Sequence, residues 1–203
     1  MNGDGFADIV GFARDHVYVS LGTSNKDNFL LGRNSDDTID GLTGNDETWR
    51  LGGNDSLIGG SGDDTLTEGN GTNTMTGGAG SDRFRFYTGT AFNRESNGID
   101  RITDFIPSVD KIVLDKNTFR SLSSSLGNGF SVPSEFAIVN NSASAATQSA
   151  KIVYVNTAGV LIFNRNGSAP GFGSGGWFAV LNGNPALTAN DFQITPFSSV
   201  IFG

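Results

Sequence analysis

Cysteine is absent from these 203 residues, which excludes a disulfide framework and any thiolate metal site. Histidine occurs once, at His16, so an HExxH zinc centre has no residues to build it. That ring, between Asp15 and the Val17-Tyr18-Val19 segment, reads as a surface or packing residue. No apolar run approaches the roughly 20 residues of a membrane-spanning helix. No basic segment followed by an apolar one opens the chain, so a Sec-type leader is not expected. Positive charge is also scarce, with 13 Lys and Arg against 21 Asp and Glu. Residues 1–85 hold 14 acidic and 6 basic side chains, whereas residues 86–203 hold 7 of each. All of the acidic excess therefore lies in the first part, which argues against nucleic acid and anionic membranes as partners and favours a cation.

Glycine is abundant, at 29 residues, and much of it is periodic. Counted from Thr23, residues 23–85 divide without a gap into seven rows of nine, beginning at Thr23, Gly32, Gly41, Arg50, Gly59, Glu68 and Gly77. The sixth position is Asn28, Asp37, Asp46, Asp55, Asp64, Asn73 and Asp82. The fourth is glycine from Gly44 onward, through Gly53, Gly62, Gly71 and Gly80. The eighth is Leu30, Ile39, Thr48, Leu57, Leu66, Met75 and Phe84. An acid or amide in every row, with an apolar residue two places later in six of the seven, establishes a repeat.

Each row predicts a six-residue turn, where glycine permits positive φ, followed by a three-residue extended piece such as Thr65-Leu66-Thr67. Two rows make one circuit. Leu30, Thr48, Leu66 and Phe84 are then expected to stack on one sheet, and Ile39, Leu57 and Met75 on the facing one. The core is one side chain wide. One Leu-sized residue per row offsets about 2 kcal/mol against the ordering of a whole row, so apolar burial alone should not hold the stack together. Stacking also sets Asp46 beside Asp64 and Asp64 beside Asp82, in a column of like charge. A hard divalent cation between successive loops removes the repulsion, and carboxylate and carbonyl oxygens suit calcium better than magnesium, which demands a stricter octahedron. A metal-free solenoid whose Asp and Asn only satisfy turn backbones competes with this reading, and the carboxylate column weighs against it. An ice-binding solenoid is a second rival. Its cue, Thr65-Leu66-Thr67 and Thr74-Met75-Thr76, falls on adjacent rows and so on opposite sheets, where no flat threonine array forms.

These rows resemble the GGxGxDxUx nonapeptides of the RTX (repeats-in-toxin, hemolysin-type) calcium-binding β-roll. The resemblance implies an all-β fold, a right-handed parallel β-roll with two sheets and 18 residues per coil, continued by a β-sandwich-like C-terminal cap. It also implies that second and fourth positions offer backbone oxygens and the sixth a carboxylate. By position these are Leu42, Gly44 and Asp46; Leu51, Gly53 and Asp55; Gly60, Gly62 and Asp64; Gly69, Gly71 and Asn73; and Gly78, Gly80 and Asp82. Asp37 supplies the acid of the second row. Lys26 and Ser35 replace the fourth-position glycine in the first two rows, and Asn28 and Asn73 replace the acid, which marks those rows as weaker sites or structural caps. At most five Ca2+ ions are expected between loops of the roll.

The flanks carry weaker signals. Residues 2–12 resemble the calcium loop and strand of an FG-GAP or VCBS-type propeller blade, with Asn2, Asp4 and Asp8 spaced as oxygen donors. One blade cannot close a propeller, so residues 1–22 are expected to form a strand pair, at 8–12 and 16–21, capping the solenoid. After the roll at 23–85, the pattern Asp100-Arg101-Ile102-Thr103-Asp104-Phe105 followed by Asp110-Lys111-Ile112-Val113-Leu114 resembles the cap of serralysin-type rolls. There Asp100 would join one further calcium, with Asn93 or Glu95 as candidate partners, or would only anchor a turn. Residues 86–203 are expected to be this β cap. Strands are predicted near 135–139, 151–155, 160–163 and 177–181, the middle two as a hairpin about Asn156-Thr157-Ala158-Gly159. The tail Phe197-Ser198-Ser199-Val200-Ile201-Phe202-Gly203 is compatible with an uncleaved type I secretion signal.

The expected function is that of a secreted, non-enzymatic calcium-binding protein, extracellular or at the cell surface, whose roll folds on meeting external Ca2+. Its expected partners are calcium and the type I secretion machinery. The alternative is an export and folding module of a larger secreted enzyme or adhesin. A cell-surface or polysaccharide partner, the latter engaged through Trp49 or Trp177, has no feature in its support, and an enzyme acting on polysaccharide through the roll surface lacks a paired-carboxylate cleft.

Overall fold

Successive rows of the repeat deliver their extended pieces to two sheets in turn. The structure, a computed structural model, describes residues 18–20, 27–49 and 52–196. The expected strand at 8–12, the propeller-like loop, His16, Leu51 and the tail from Phe197 lie outside the described residues. Strand β1 (Tyr18–Ser20) is followed by one strand per row: β2 (Phe29–Leu31), β3 (Thr38–Asp40), β4 (Glu47–Trp49), β5 (Ser56–Ser61), β6 (Thr65–Thr67), β7 (Thr74–Ala79) and β8 (Arg83–Phe86). Beyond them come α1 (Arg94–Asn97), β9 (Asp100–Ile102), β10 (Lys111–Asp115), β11 (Gly127–Asn128), β12 (Phe136–Val139), α2 (Ser142–Ala145), β13 (Ile152–Val155), β14 (Val160–Phe163), β15 (Gly176–Leu181) and β16 (Phe192–Thr195).

One sheet has the order β1-β3-β5-β7-β9-β15-β14-β13-β12, and the other β11-β16-β10-β8-β6-β4-β2. Pairing within the rows is parallel with a circuit of 18 residues, and it aligns Leu30 with Thr48, Leu66 and Phe84, and Ile39 with Leu57 and Met75. All seven of these side chains are buried. The chain is therefore the parallel β-roll expected, with the predicted residues facing inward on the predicted sheets. Thr48 is the exception in chemistry, since its hydroxyl is buried in that apolar column without a hydrogen-bond partner.

Neither sheet stops where the rows stop. β9 pairs with β7, setting Ile102 beside Met75, and β10 pairs with β8, setting Ile112 beside Phe84. The core then widens from one side chain to an aromatic cluster. Phe119 packs edge-on against Phe163 and Phe178, at centroid distances of 5.0 and 5.2 Å. Strands β13 and β14 form the antiparallel hairpin expected from the sequence. They are buried on both faces, with Tyr154 and Leu161 in the main core and Val153, Val155 and Ile162 in a smaller cluster with Ala145 of α2. With both faces covered, the two strands carry apolar residues at successive positions and lack a strict polar/apolar alternation.

Candidate metal-binding loops

The loops between strands stack one circuit apart, and two hydrogen-bond ladders lock them in register. In the first, the sixth-position side chain accepts, through Oδ1, the backbone N–H of the sixth residue one circuit earlier. Asn28 donates to Asp46 at 2.8 Å, Asp46 to Asp64 at 2.7 Å and Asp64 to Asp82 at 3.0 Å. On the other side of the roll Asp37 donates to Asp55 at 2.8 Å and Asp55 to Asn73 at 3.0 Å. The second ladder runs the opposite way at the fifth position. Asp27, Asp36, Asn45, Asn54 and Asp63 accept through Oδ1 from the N–H groups of Asn45, Asn54, Asp63, Thr72 and Ser81. The sequence signal for this ladder is the run of Asp and Asn at the fifth position, adjacent to the more conspicuous sixth.

The first ladder uses one oxygen, Oδ1, of the Asp46, Asp55, Asp64 and Asp82 carboxylates. In Asp46 and Asp64 the other, Oδ2, is buried and has no hydrogen-bond partner. Backbone carbonyls complete the surroundings. A Cβ on Gly62 would collide with the Gly44 carbonyl oxygen, and one on Gly80 with that of Gly62. The same holds for Gly60 against Leu42, Gly78 against Gly60, and Gly71 against Gly53. Second- and fourth-position carbonyls thus abut the next loop so closely that only a residue without a side chain fits there. Leu42 itself adopts φ +69°, uncommon for a branched residue and characteristic of functional loops.

The sixth-position acids sit in this seam almost without solvent. Burial pushes the Asp64 carboxyl up to about 6, aided by the charges of Asp82 and Asp46 and opposed by its hydrogen bond from the Asp46 N–H. Asp82 is likewise raised to about 6, by burial and then by the charges of Asp110, Asp104 and Asp63. Asp46 is raised too, mainly by burial. Among the described residues no three Asp, Glu, His or Cys side chains converge on a point, so a cation between loops must take most of its ligands from the backbone. Unpartnered carboxylate oxygens lined by carbonyls form an all-oxygen donor set, which fits a hard cation such as Ca2+.

The structure brings the expected residues together in two columns. Leu42, Gly44 and Asp46 stack with Gly60, Gly62 and Asp64 and then with Gly78, Gly80 and Asp82. Gly53 and Asp55 stack with Gly71 and Asn73, below Asp37 and above Asp100. Gly69 differs from its counterparts Leu42, Gly60 and Gly78, because it is not among the residues with positive φ. Both columns continue beyond the repeat. Asp100 accepts from Asn73 N–H at 2.7 Å, and Asp110 accepts from Asp82 N–H at 3.0 Å. Gly98-Ile99-Asp100-Arg101-Ile102-Thr103 is thus the last two thirds of a row: Gly98 abuts the Gly71 carbonyl, and Ile102 is the buried eighth residue. Asp110 plays the sixth-position role with Ser108, at φ +69°, in the place of the fourth-position glycine. Sequence reasoning found Asp100 but missed Asp110, although the Asp110-Lys111-Ile112 spacing carries the same signal. Asn93, one candidate partner of Asp100, instead caps α1, accepting from Glu95 N–H at 2.9 Å.

Residues 23–47 and 51–84 match, in four copies, the family model described as the RTX calcium-binding nonapeptide repeat. No curated protein matches. Among solved structures, the chain is similar to the solution structure of the AlgE6R3 subunit from the Azotobacter vinelandii mannuronan C5-epimerase. The identity is 25% over 83% of this chain and 78% of that one, with a TM-score of 0.29.

Proposed function

Because this chain is an RTX-repeat protein, with calcium-binding nonapeptides over residues 23–47 and 51–84, we propose that it is a secreted, non-enzymatic calcium binder whose roll becomes compact as Ca2+ enters between its loops. The observation that supports this reading is the buried, unpartnered Oδ2 of Asp46 and Asp64 in a column of like charge. Burying an ionised carboxylate without a counter-charge is strongly unfavourable. Bound calcium supplies that counter-charge.

The chain's own part is to hold oxygens in place. The Oδ1 ladder fixes each carboxylate against the preceding coil, and the glycines let the carbonyls of Leu42, Gly44, Gly53, Gly60 and Gly62 approach the next loop. In a calcium-poor cytosol the column repels itself and the roll stays open; outside the cell the sites fill. A ligand that binds only the folded form stabilises it by RT ln(1 + [L]/Kd) per site, so several sites in one stack make folding steep in calcium. Affinities of about 10⁻⁴ to 10⁻³ M suit an extracellular module. Export by a type I system belongs to the same proposal. No described helix is long and apolar enough to cross a membrane.

Circular dichroism during a calcium titration tests the reading. The expected result is a cooperative gain of β signal that excess chelator reverses. A β-rich spectrum that chelator leaves unchanged would overturn it.

A further inference from the structure

The first position of a described row is glycine at Gly32, Gly41, Gly59 and Gly77, but glutamate at Glu68. Geometry gives the reason for glycine. A Cβ on Gly41, Gly59 or Gly77 would collide with Oδ2 of that row's own sixth residue, Asp46, Asp64 or Asp82. A side chain grown from the first position therefore enters the space that the sixth-position carboxylate fills elsewhere. The Glu68 backbone keeps the regular register, its N–H donating to the Arg85 carbonyl at 3.0 Å as that of Gly41 donates to Ile58 at 2.9 Å.

In this row the sixth residue is Asn73. Its Oδ1 is taken by the Asp55 N–H at 3.0 Å, and its buried Nδ2 faces Asp100. The row thus lacks a sixth-position charge, and its amide cannot turn an oxygen inward without losing the ladder bond. Glu68 is 2% exposed, and its Oε2 is buried with no hydrogen-bond partner. The acid of the following circuit, Asp100, is also 2% exposed. Asp100 accepts the Asn73 N–H at 2.7 Å, so it adjoins the space beside Asn73 that a first-position side chain enters; burial, and then the charge of Asp100, raise the Glu68 carboxyl well above its usual range.

We propose that Glu68 returns, from the first position, the carboxylate that Asn73 lacks, and that Glu68 and Asp100 together hold one Ca2+ between the sixth row and residues 98–103. The inference rests on the calcium reading of the roll. It places a calcium site at the row whose sixth position looks weakest, and it makes the junction between roll and cap depend on calcium.

The test is the calcium content of the full chain after gel filtration in calcium chloride, compared among the parent and the variants Glu68→Gln, Glu68→Gly and Glu68→Gly/Asn73→Asp. The last recreates the Gly59 and Asp64 arrangement of the fifth row. The expected result is one ion fewer per chain in both single variants and the parental number in the double variant. A parental count in Glu68→Gln would overturn the proposal. If Glu68→Gln does not fold, Glu68→Gly against the double variant decides: equal counts overturn the proposal, and a difference of one supports it. A parent that binds no calcium at all would instead remove the calcium reading itself, and this site with it.

Discussion

The backbone N–H of Asp46 donates to Oδ1 of Asp64 at 2.7 Å, while Oδ2 of the same carboxylate is buried and unpartnered. One oxygen of Asp64 serves the fold, and the other is the one offered to the proposed cation. Asp64→Asn separates these roles, because the amide retains an acceptor for Asp46 and removes the charge. In excess chelator, where the parent's roll stays open, the variant should begin its melt with more β signal than the parent. In calcium it should gain less, by about 2.7 kcal/mol for one lost site at a hundredfold excess of calcium over Kd. Thermal unfolding with and without calcium checks both signs, and an unchanged calcium-dependent gain would contradict them.

Protons should partly replace calcium. The folded-state carboxyls of Asp64 and Asp82 are raised to about 6, above an unfolded value of about 3.9. The folded chain therefore binds these protons more tightly, and its stability falls as pH rises through this window. Circular dichroism in calcium-depleted buffer, where the roll stays open at neutral pH, should show β structure increasing as pH drops from 7 towards 5. Calcium affinity should fall over the same range, as protons compete for the same oxygens.

Thr48 offers a gain of stability. Its hydroxyl is buried with no hydrogen-bond partner, in a column that otherwise holds Leu30, Leu66 and Phe84. Thr48→Val keeps the shape and removes the desolvated group, for an expected gain of about 1–3 kcal/mol. Chemical denaturation measures it, and a loss of stability would show that the hydroxyl has a partner after all.

Two glycines distinguish conformational strain from crowding. Gly62 and Gly127 both have positive φ, at +134° and +131°, but a Cβ would strike the Gly44 carbonyl at the first and meet nothing within 4 Å at the second. Gly127→Ala should cost about 1 kcal/mol from backbone strain alone. Gly62→Ala should cost more and should also weaken calcium binding, because the carbonyl it displaces lines the seam. Melting temperature and calcium titration of the two variants separate the effects.

The nine-residue period was enough to assign Leu30, Thr48, Leu66 and Phe84 to one sheet and Ile39, Leu57 and Met75 to the other, because a one-residue-wide core leaves no other inward position. It was not enough to see the rows continue. Asn73 and Asp100 are neighbours in the ladder yet 27 residues apart, and Asp82 and Asp110 are 28 apart, where the repeat demands 18. The inserted turns carry α1 and the Phe105 segment, and they conceal that Asp100 and Asp110 stand in sixth-position places. Glu68 was missed for a different reason. Judged against a glycine consensus it is only a departure, and its meaning depends on the space beside Asn73, which no linear pattern displays. The fold of residues 116–150 was largely illegible because its Ser, Asn and Ala residues form turns around few apolar anchors.

The unbroken run of both sheets from the rows into β9 and β10 makes the molecule polar along its length. Each interior coil leans on two neighbours, but among the described residues β1 and β2 are the outermost strands of their sheets at the other end. In such a nearest-neighbour stack the aromatic end acts as an anchor, and among the described coils those nearest it should be the last to unravel under load, like a zip with a fixed stop.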